Sequence, residues 1–141
     1  MILLDTSGLL AALDASQHEH RPAADVLREA TGPFLLSPFV LAELDYLLLT
    51  RVGLHAELAL LDEVSRGAYR LEPFDHDDIA AAREIIARFD RLDIGLADAS
   101  IVVLSERYDL RDVLTLDQRH FRALRDTRDR PFRLLPADRG R

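Results

Sequence analysis

The sequence predicts an α/β fold, one domain built on a central parallel sheet of about five strands with helices on both faces. Three observations predict it. Short apolar runs alternate with longer stretches of helical periodicity, the pattern of strands joined by right-handed crossover helices. Helix-start signals follow several of those runs directly. The 141 residues are 48% apolar and 30% charged, the balance of a globular chain long enough to bury one core.

The elements follow in order. "ILLD" (2–5) reads as the first strand, followed by helices over about 7–14 and 19–30, the second closed by Gly32-Pro33. "FLL" (34–36) is the second strand. Ser37 is then an N-cap and Pro38 a first helical residue, opening a helix over 38–51. From Phe39 to Leu49 that helix, "FVLAELDYLLL", is apolar almost all round, whereas a surface helix shows one apolar stripe. It is either deep core or, with the leucine-rich helix over 54–66, an interface with another chain. Gly67 ends the latter, and "YRLE" (69–72) is the third strand. Asp75 at the cap and Asp78 in the first turn start a helix over 76–90, where the helix dipole favours acids. A helix over 96–107, the strand "DVLTL" (112–116), a helix over 118–124 and the strand "FRLL" (132–135) complete a domain spanning 1–135. The tail 136–141, "PADRGR", is expected to fray.

Composition excludes several chemistries. With no cysteine there are no disulfides, zinc-thiolate sites or thiol nucleophiles. No signal peptide and no long uncharged apolar run is visible, so a cytoplasmic protein with no membrane association is expected. The net charge of −7 argues against nucleic acid until its distribution is considered. Residues 1–104 hold 8 Arg and 18 acids, and residues 105–141 hold 10 Arg and 7 acids. All 18 basic residues are arginine, which suits bidentate phosphate contact. The C-terminal arginines are either an RNA-contacting patch or a solvated face.

One aspartate looks misplaced. On the helix beginning "GLADASIVVL", Asp98 shares a face with Ile101 and Val102, three and four positions on. A buried carboxylate is normally paired, neutralised or bound to metal. Ligands of parallel α/β sheets bind beyond the carboxyl ends of the strands. Asp5 closes the first strand there, and Asp117 follows the fourth. Asp98, in the first turn of the helix before that strand, falls near the same edge. Each also has a plainer reading: Asp5 and Asp117 as N-caps, Asp98 as a partner of the helix dipole. Glu43 lies on the helix after the second strand, and the apolar pattern does not separate it from Asp45 by face. Two carboxylates about 5 Å apart repel by about 3 kcal/mol at an effective dielectric near 20. A hard divalent cation such as Mg²⁺ or Mn²⁺ removes that conflict and supports phosphoryl chemistry by activating water.

"LLDTSGLLAALD", "SPFVLAELDYLL", "IGLADASIVVLSERY" and "VLTLDQRHF", in this order across essentially the whole chain, resemble a PIN-domain protein, specifically a VapC-type toxin ribonuclease of bacterial type II toxin–antitoxin systems. The resemblance implies a PIN-like nuclease domain in which Asp5, Glu43, Asp98 and Asp117 are the catalytic, metal-binding acids, selecting Glu43 over Asp45. Thr6 and Ser7 match the hydroxyl positions after the first acid and are implied as supporting contacts. The same resemblance implies an Mg²⁺- or Mn²⁺-dependent endoribonuclease that cleaves structured RNA (tRNA or rRNA) by metal-activated water and inhibits translation. It further implies a VapB-type antitoxin partner and a homodimer.

The alternative to an enzyme is a non-catalytic PIN-like module that binds RNA or protein. Aspartyl-phosphate phosphatases and receiver domains also carry acids at strand ends, but they use a lysine near the phosphate, and this chain has none. His18 and His20 do not share a helix face, so they do not read as a zinc pair. His120 reads as a surface or capping residue, with RNA contact as its other reading. The six glycines form no phosphate-binding loop.

Overall fold

The structure is a computed structural model describing residues 1–140. Five short strands form one fully parallel sheet: β1 (Ile2–Leu4), β2 (Phe34–Leu36), β3 (Arg70–Leu71), β4 (Asp112–Leu114) and β5 (Arg133–Leu135). Their order is β3-β2-β1-β4-β5. The chain winds outward from β1 through β2 to β3, then returns to the other side of β1 for β4 and β5. The sheet therefore reverses direction between β1 and β4, and ligands of open parallel sheets bind beyond the strand ends at such a switch point.

Seven helices connect the strands: α1 (Thr6–Leu13), α2 (His20–Glu29), α3 (Pro38–Arg51), α4 (Leu54–Ser65), α5 (His76–Arg88), α6 (Leu96–Tyr108) and α7 (Gln118–Phe121), with a 3₁₀ turn at Asp90–Leu92. The predicted starts hold for physical reasons. Ser37 Oγ accepts the Phe39 N–H at 3.1 Å. Asp75 and Asp78 form a reciprocal capping box, each carboxylate accepting the other residue's N–H at 3.0 Å. The strands contract to two or three residues, because pairing stops where each chain turns away at the carboxyl edge.

Helix α6 passes through the centre of the domain. Residues Ala99 through Ser105 are all buried, and it packs on α5, α3 and β1. Ser100 Oγ donates to Ser37 Oγ at 2.6 Å, tying α6 to the start of α3. Gly8 is needed where α1 lies against the end of β4. A Cβ there would sit 2.3 Å from the Leu114 carbonyl oxygen and 2.7 Å from the Thr115 nitrogen.

One alternative is excluded and one expectation is corrected. Of the two readings of the apolar helix over 38–51, wholly deep core does not hold. Val40, Leu44 and Leu48 are buried, but Tyr46 and Leu49 are exposed, as are Leu54, Leu58 and Leu61 of α4. The tail does not fray through Asp138. That carboxylate is buried, accepts the Leu134 N–H at 2.8 Å and holds Arg122 through two 2.7 Å bonds, while Arg139 pairs with Glu29. A carboxylate with a bidentate arginine partner fastens a segment whose composition alone suggests a loose end. No helix is long and apolar enough to cross a membrane among the described residues.

Candidate active site

Beyond the carboxyl ends of β1 and β4 lies a cavity of about 380 Å³ into which the four predicted acids all fall. Asp5 leaves β1 as the N-cap residue of α1, yet its side chain makes no capping bond. It turns instead toward the loop after β4. Thr115 Oγ1 donates to Asp5 Oδ2 at 2.6 Å, and Ser7 Oγ donates to the same oxygen at 3.0 Å. Ser7 Oγ also accepts the Leu116 N–H at 2.9 Å, and Thr115 Oγ1 accepts the Asp117 N–H at 2.9 Å. These two hydroxyls thus bind the first acid to the segment that carries the fourth. The backbone joins them too, through the Asp5 N–H donating to the Leu114 carbonyl at 3.0 Å.

Asp5 is 5% exposed, and burial pushes its carboxyl up to about 7 against the pull of the Thr115 and Ser7 hydroxyls, with the Asp98 charge adding to the rise. Asp98 occupies the first turn of α6, while Ile101 and Val102 on its face are buried in the core. Its carboxyl is likewise raised, chiefly by burial, with His120 opposing and the charges of Asp117 and Glu43 reinforcing the shift.

Asp117 has two roles at once. Oδ1 accepts the His120 N–H at 3.0 Å as an ordinary N-cap of α7, which leaves Oδ2 facing the crevice. His120 Nδ1 lies 3.0 Å from that Oδ2 and 3.0 Å from Asp98 Oδ2. An ionised carboxylate only accepts, so the Asp98 contact is a hydrogen bond from the imidazole when Nδ1 carries the proton. The imidazole, read from sequence as a surface or capping residue, is a crevice residue and the bridge between two of the acids. Asp98, Asp117 and His120 each offer one atom within 4.8 Å of the others. Thr115 escaped the sequence reading, which named His120 but not its contacts with the acids. The signals available were the hydroxyl two residues before Asp117 in "LTLD" and the histidine three after it.

Glu43 and Asp45 separate clearly. Glu43 lines the crevice, and its charge reaches Asp98. Asp45 turns to α4, where its carboxylate raises that of Glu57. Thr6 Oγ1 is buried and finds no hydrogen-bond partner among the described residues. The donor set therefore fits a hard divalent cation: carboxylate oxygens driven toward protonation by burial, with an unpaired hydroxyl beside them. The C-terminal arginines are mostly consumed elsewhere. Arg107, Arg111, Arg122, Arg130 and Arg133 are each tied to an acid, neither forming an open patch nor simply solvated.

Comparison with known proteins agrees with this architecture. A family model described as PIN domain matches residues 2–126. The chain is 42% identical over 135 residues to Ribonuclease VapC26 of Mycobacterium tuberculosis (strain ATCC 25618 / H37Rv), a match covering 96% of this chain and 100% of that protein. The crystal structure of Mycobacterium tuberculosis VapC20, a sarcin–ricin loop cleaving toxin, aligns with a TM-score of 0.77 at 24% identity, covering 83% of this chain and 90% of that one, and bears on the fold. Four separated chain segments meeting at the switch point of a five-stranded parallel sheet, with sequence identity running the length of a ribonuclease, place the chain in the PIN-domain family, among its VapC ribonucleases.

Proposed function

We propose that the chain is a metal-dependent endoribonuclease, the toxin of a toxin–antitoxin pair, cutting structured RNA such as tRNA or rRNA and so inhibiting translation. The reading rests on one observation above all: Asp5, Glu43, Asp98 and Asp117 line a single crevice, and burial raises the carboxyls of Asp5 and Asp98. A cation in the crevice would favour the ionised form of those two carboxyls. The full-length match to a protein named as a ribonuclease supports the choice of substrate.

In this reading Asp5 and Asp98 are the principal ligands of Mg²⁺ or Mn²⁺, with Glu43 and Asp117 completing the site. A bound divalent cation supplies Lewis acidity, lowering the pKa of water and neutralising charge on phosphate oxygens. The protein's part is placement. Ser7 and Thr115 fix Asp5 Oδ2, the Asp117 cap fixes the start of α7, and the buried face of α6 holds Asp98. Thr6 adds an unpaired hydroxyl beside the acids. His120 bridges Asp98 and Asp117 and limits their repulsion. Attack by water rather than by the 2′-hydroxyl of RNA leaves 5′-phosphate and 3′-hydroxyl ends.

The partner of such a toxin is a VapB-type antitoxin that covers the acidic crevice, with a basic side chain meeting its acids. The exposed apolar residues of α3 and α4 are the surface for that partner or for a homodimer. Sequencing RNA 5′-monophosphate ends after expression, against an Asp98→Asn control, tests the proposal. New ends that vanish in the control, with cleavage stopped by EDTA and restored by Mg²⁺ or Mn²⁺, are the expected result. Ends carrying 2′,3′-cyclic phosphate would overturn the hydrolytic reading. No cleavage of any RNA would leave a binding module.

A further inference from the structure

We propose that Arg51 is the residue of this crevice that grips the RNA backbone, holding a phosphate that flanks the one presented to the acids. The inference rests on the ribonuclease reading for its substrate and on separate geometry for its residue. Arg51 stands in the last turn of α3, is exposed, and lines the same cavity as the four acids. Glu43, Leu47 and Arg51, spaced by four residues, share one face of α3, and all three line the cavity. At 1.5 Å per residue, Arg51 is about 12 Å along the helix from Glu43. The crevice is thus acidic at the Glu43 end and cationic at the other, with Leu47 between them and Leu10 also in its lining. An apolar floor with a guanidinium at its end suits a nucleotide whose base or ribose lies on the leucines while its phosphate meets the arginine.

The guanidinium is also available. The Arg51 side chain makes no ion pair or hydrogen bond among the described residues, although four carboxylates line the same cavity. Most of the C-terminal arginines that composition offered as RNA contacts are instead bound to acids, Arg111 to Asp109, Arg133 to Asp112 and Arg122 to Asp138 among them. Gln17 joins the cationic end of the cavity. Leu13, Asp14 and Ala15 line a second cavity with Leu48 and Val52, which sets the loop after α1 beside the last turn of α3. The plainer role for an arginine here is to face the carboxyl end of the helix dipole. That role predicts a change in stability alone.

The test compares Arg51→Ala, Arg51→Lys and Arg66→Ala. Arg66 ends α4 beside Ser65 and Gly67, which line a cavity with Pro33 and Phe34 at the opposite edge of the sheet, so its removal is a matched loss of charge. Cleavage of purified ribosomal RNA in Mn²⁺ is followed from about 50 to 200 mM salt, with binding of a labelled RNA stem–loop in EDTA as a readout independent of cleavage. Arg51→Ala is expected to raise KM and the RNA dissociation constant about 10-fold, to leave kcat within about 2-fold, and to flatten the log–log salt dependence by about 0.7–1. Arg51→Lys should recover the salt slope, and Arg66→Ala should match wild type. Unchanged KM, binding and slope in Arg51→Ala would overturn the inference. So would a lysine variant as flat in salt as alanine, an equal effect at Arg66, or a loss in kcat alone. If wild type cleaves nothing but Arg51→Ala still weakens stem–loop binding, the ribonuclease reading falls and the phosphate contact stands.

Discussion

Replacing Asp5 with asparagine should make the metal-free protein more stable while abolishing its activity. Burial raises the Asp5 carboxyl from 3.8 to about 7. The native state therefore keeps a proton that the unfolded chain has already released, and stability falls as pH rises from about 4 to 7. A shift of about three units corresponds to about 4 kcal/mol at pH 8, at 1.36 kcal/mol per unit. The same linkage leaves about 2 kcal/mol at pH 5 and under about 1 kcal/mol at pH 4. Asparagine is neutral throughout, and its amide oxygen can still accept from Thr115 and Ser7 at the Oδ2 position. In EDTA at pH 8, Asp5→Asn is expected to unfold roughly 2–4 kcal/mol later in denaturant, or about 10 °C higher on heating for a domain of this size. The advantage should shrink steadily toward pH 4. Magnesium at about 100 times its Kd should stabilise wild type by about 2.7 kcal/mol and the variant hardly at all. Denaturant melts across pH 4–8, with and without Mg²⁺, measure each term. A variant no more stable than wild type at pH 8 in EDTA, or an advantage independent of pH, would refute the assignment of Asp5 as a carboxylate strained by burial.

Other substitutions test neighbouring parts of the argument. Gly8→Ala drives a methyl against the Leu114 carbonyl and the Thr115 nitrogen, so it should cost about 1–3 kcal/mol or more and lower cleavage through displaced Thr115. Thermal melts together with RNA cleavage rates check both effects. Glu43→Gln should reduce cleavage by at least about 100-fold, whereas Asp45→Asn, at the α3–α4 contact, should leave it within a few-fold. Equal losses in a cleavage assay would mean that the two acids are not separated as described. Ser7→Ala strips a donor from Asp5 and leaves the Leu116 N–H without its acceptor, an expected loss of about 1–3 kcal/mol in denaturant melts.

Much of the scaffold is legible in the chain because its signals are local. Ser37-Pro38 and Asp75 with Asp78 mark helix starts through bonds that close within three residues. Alternation of apolar runs and helices favours a parallel sheet, and a parallel sheet gathers the residues that follow its strands at one edge. Asp5 and Asp117 are placed by that rule, and Asp98 by its neighbours Ile101 and Val102, which are buried as their spacing demands.

What stayed hidden depends on contacts between segments far apart in sequence. On α3, Glu43 and Asp45 look alike because the helix is apolar nearly all round; the packing of α4 against one side makes one acid a crevice residue and the other a partner of Glu57. The bridging place of His120 is not marked in the sequence, since its contact with Asp98 spans 22 residues and exists only once α6 and α7 converge. The Thr115 hydroxyl reaches Asp5 across 110 residues. The arginine-rich C-terminal segment suggested an RNA surface by composition, and folding spent most of those charges on internal acids. Sequence alone thus settled the layered parallel architecture and the edge at which the acids gather, because both follow from short-range periodicity. Tertiary structure decided which carboxylate of a pair faces the crevice, how burial raises Asp5 and Asp98, and which arginines keep no acid partner, Arg51 of the crevice among them, because each of these depends on the neighbours that close packing brings together.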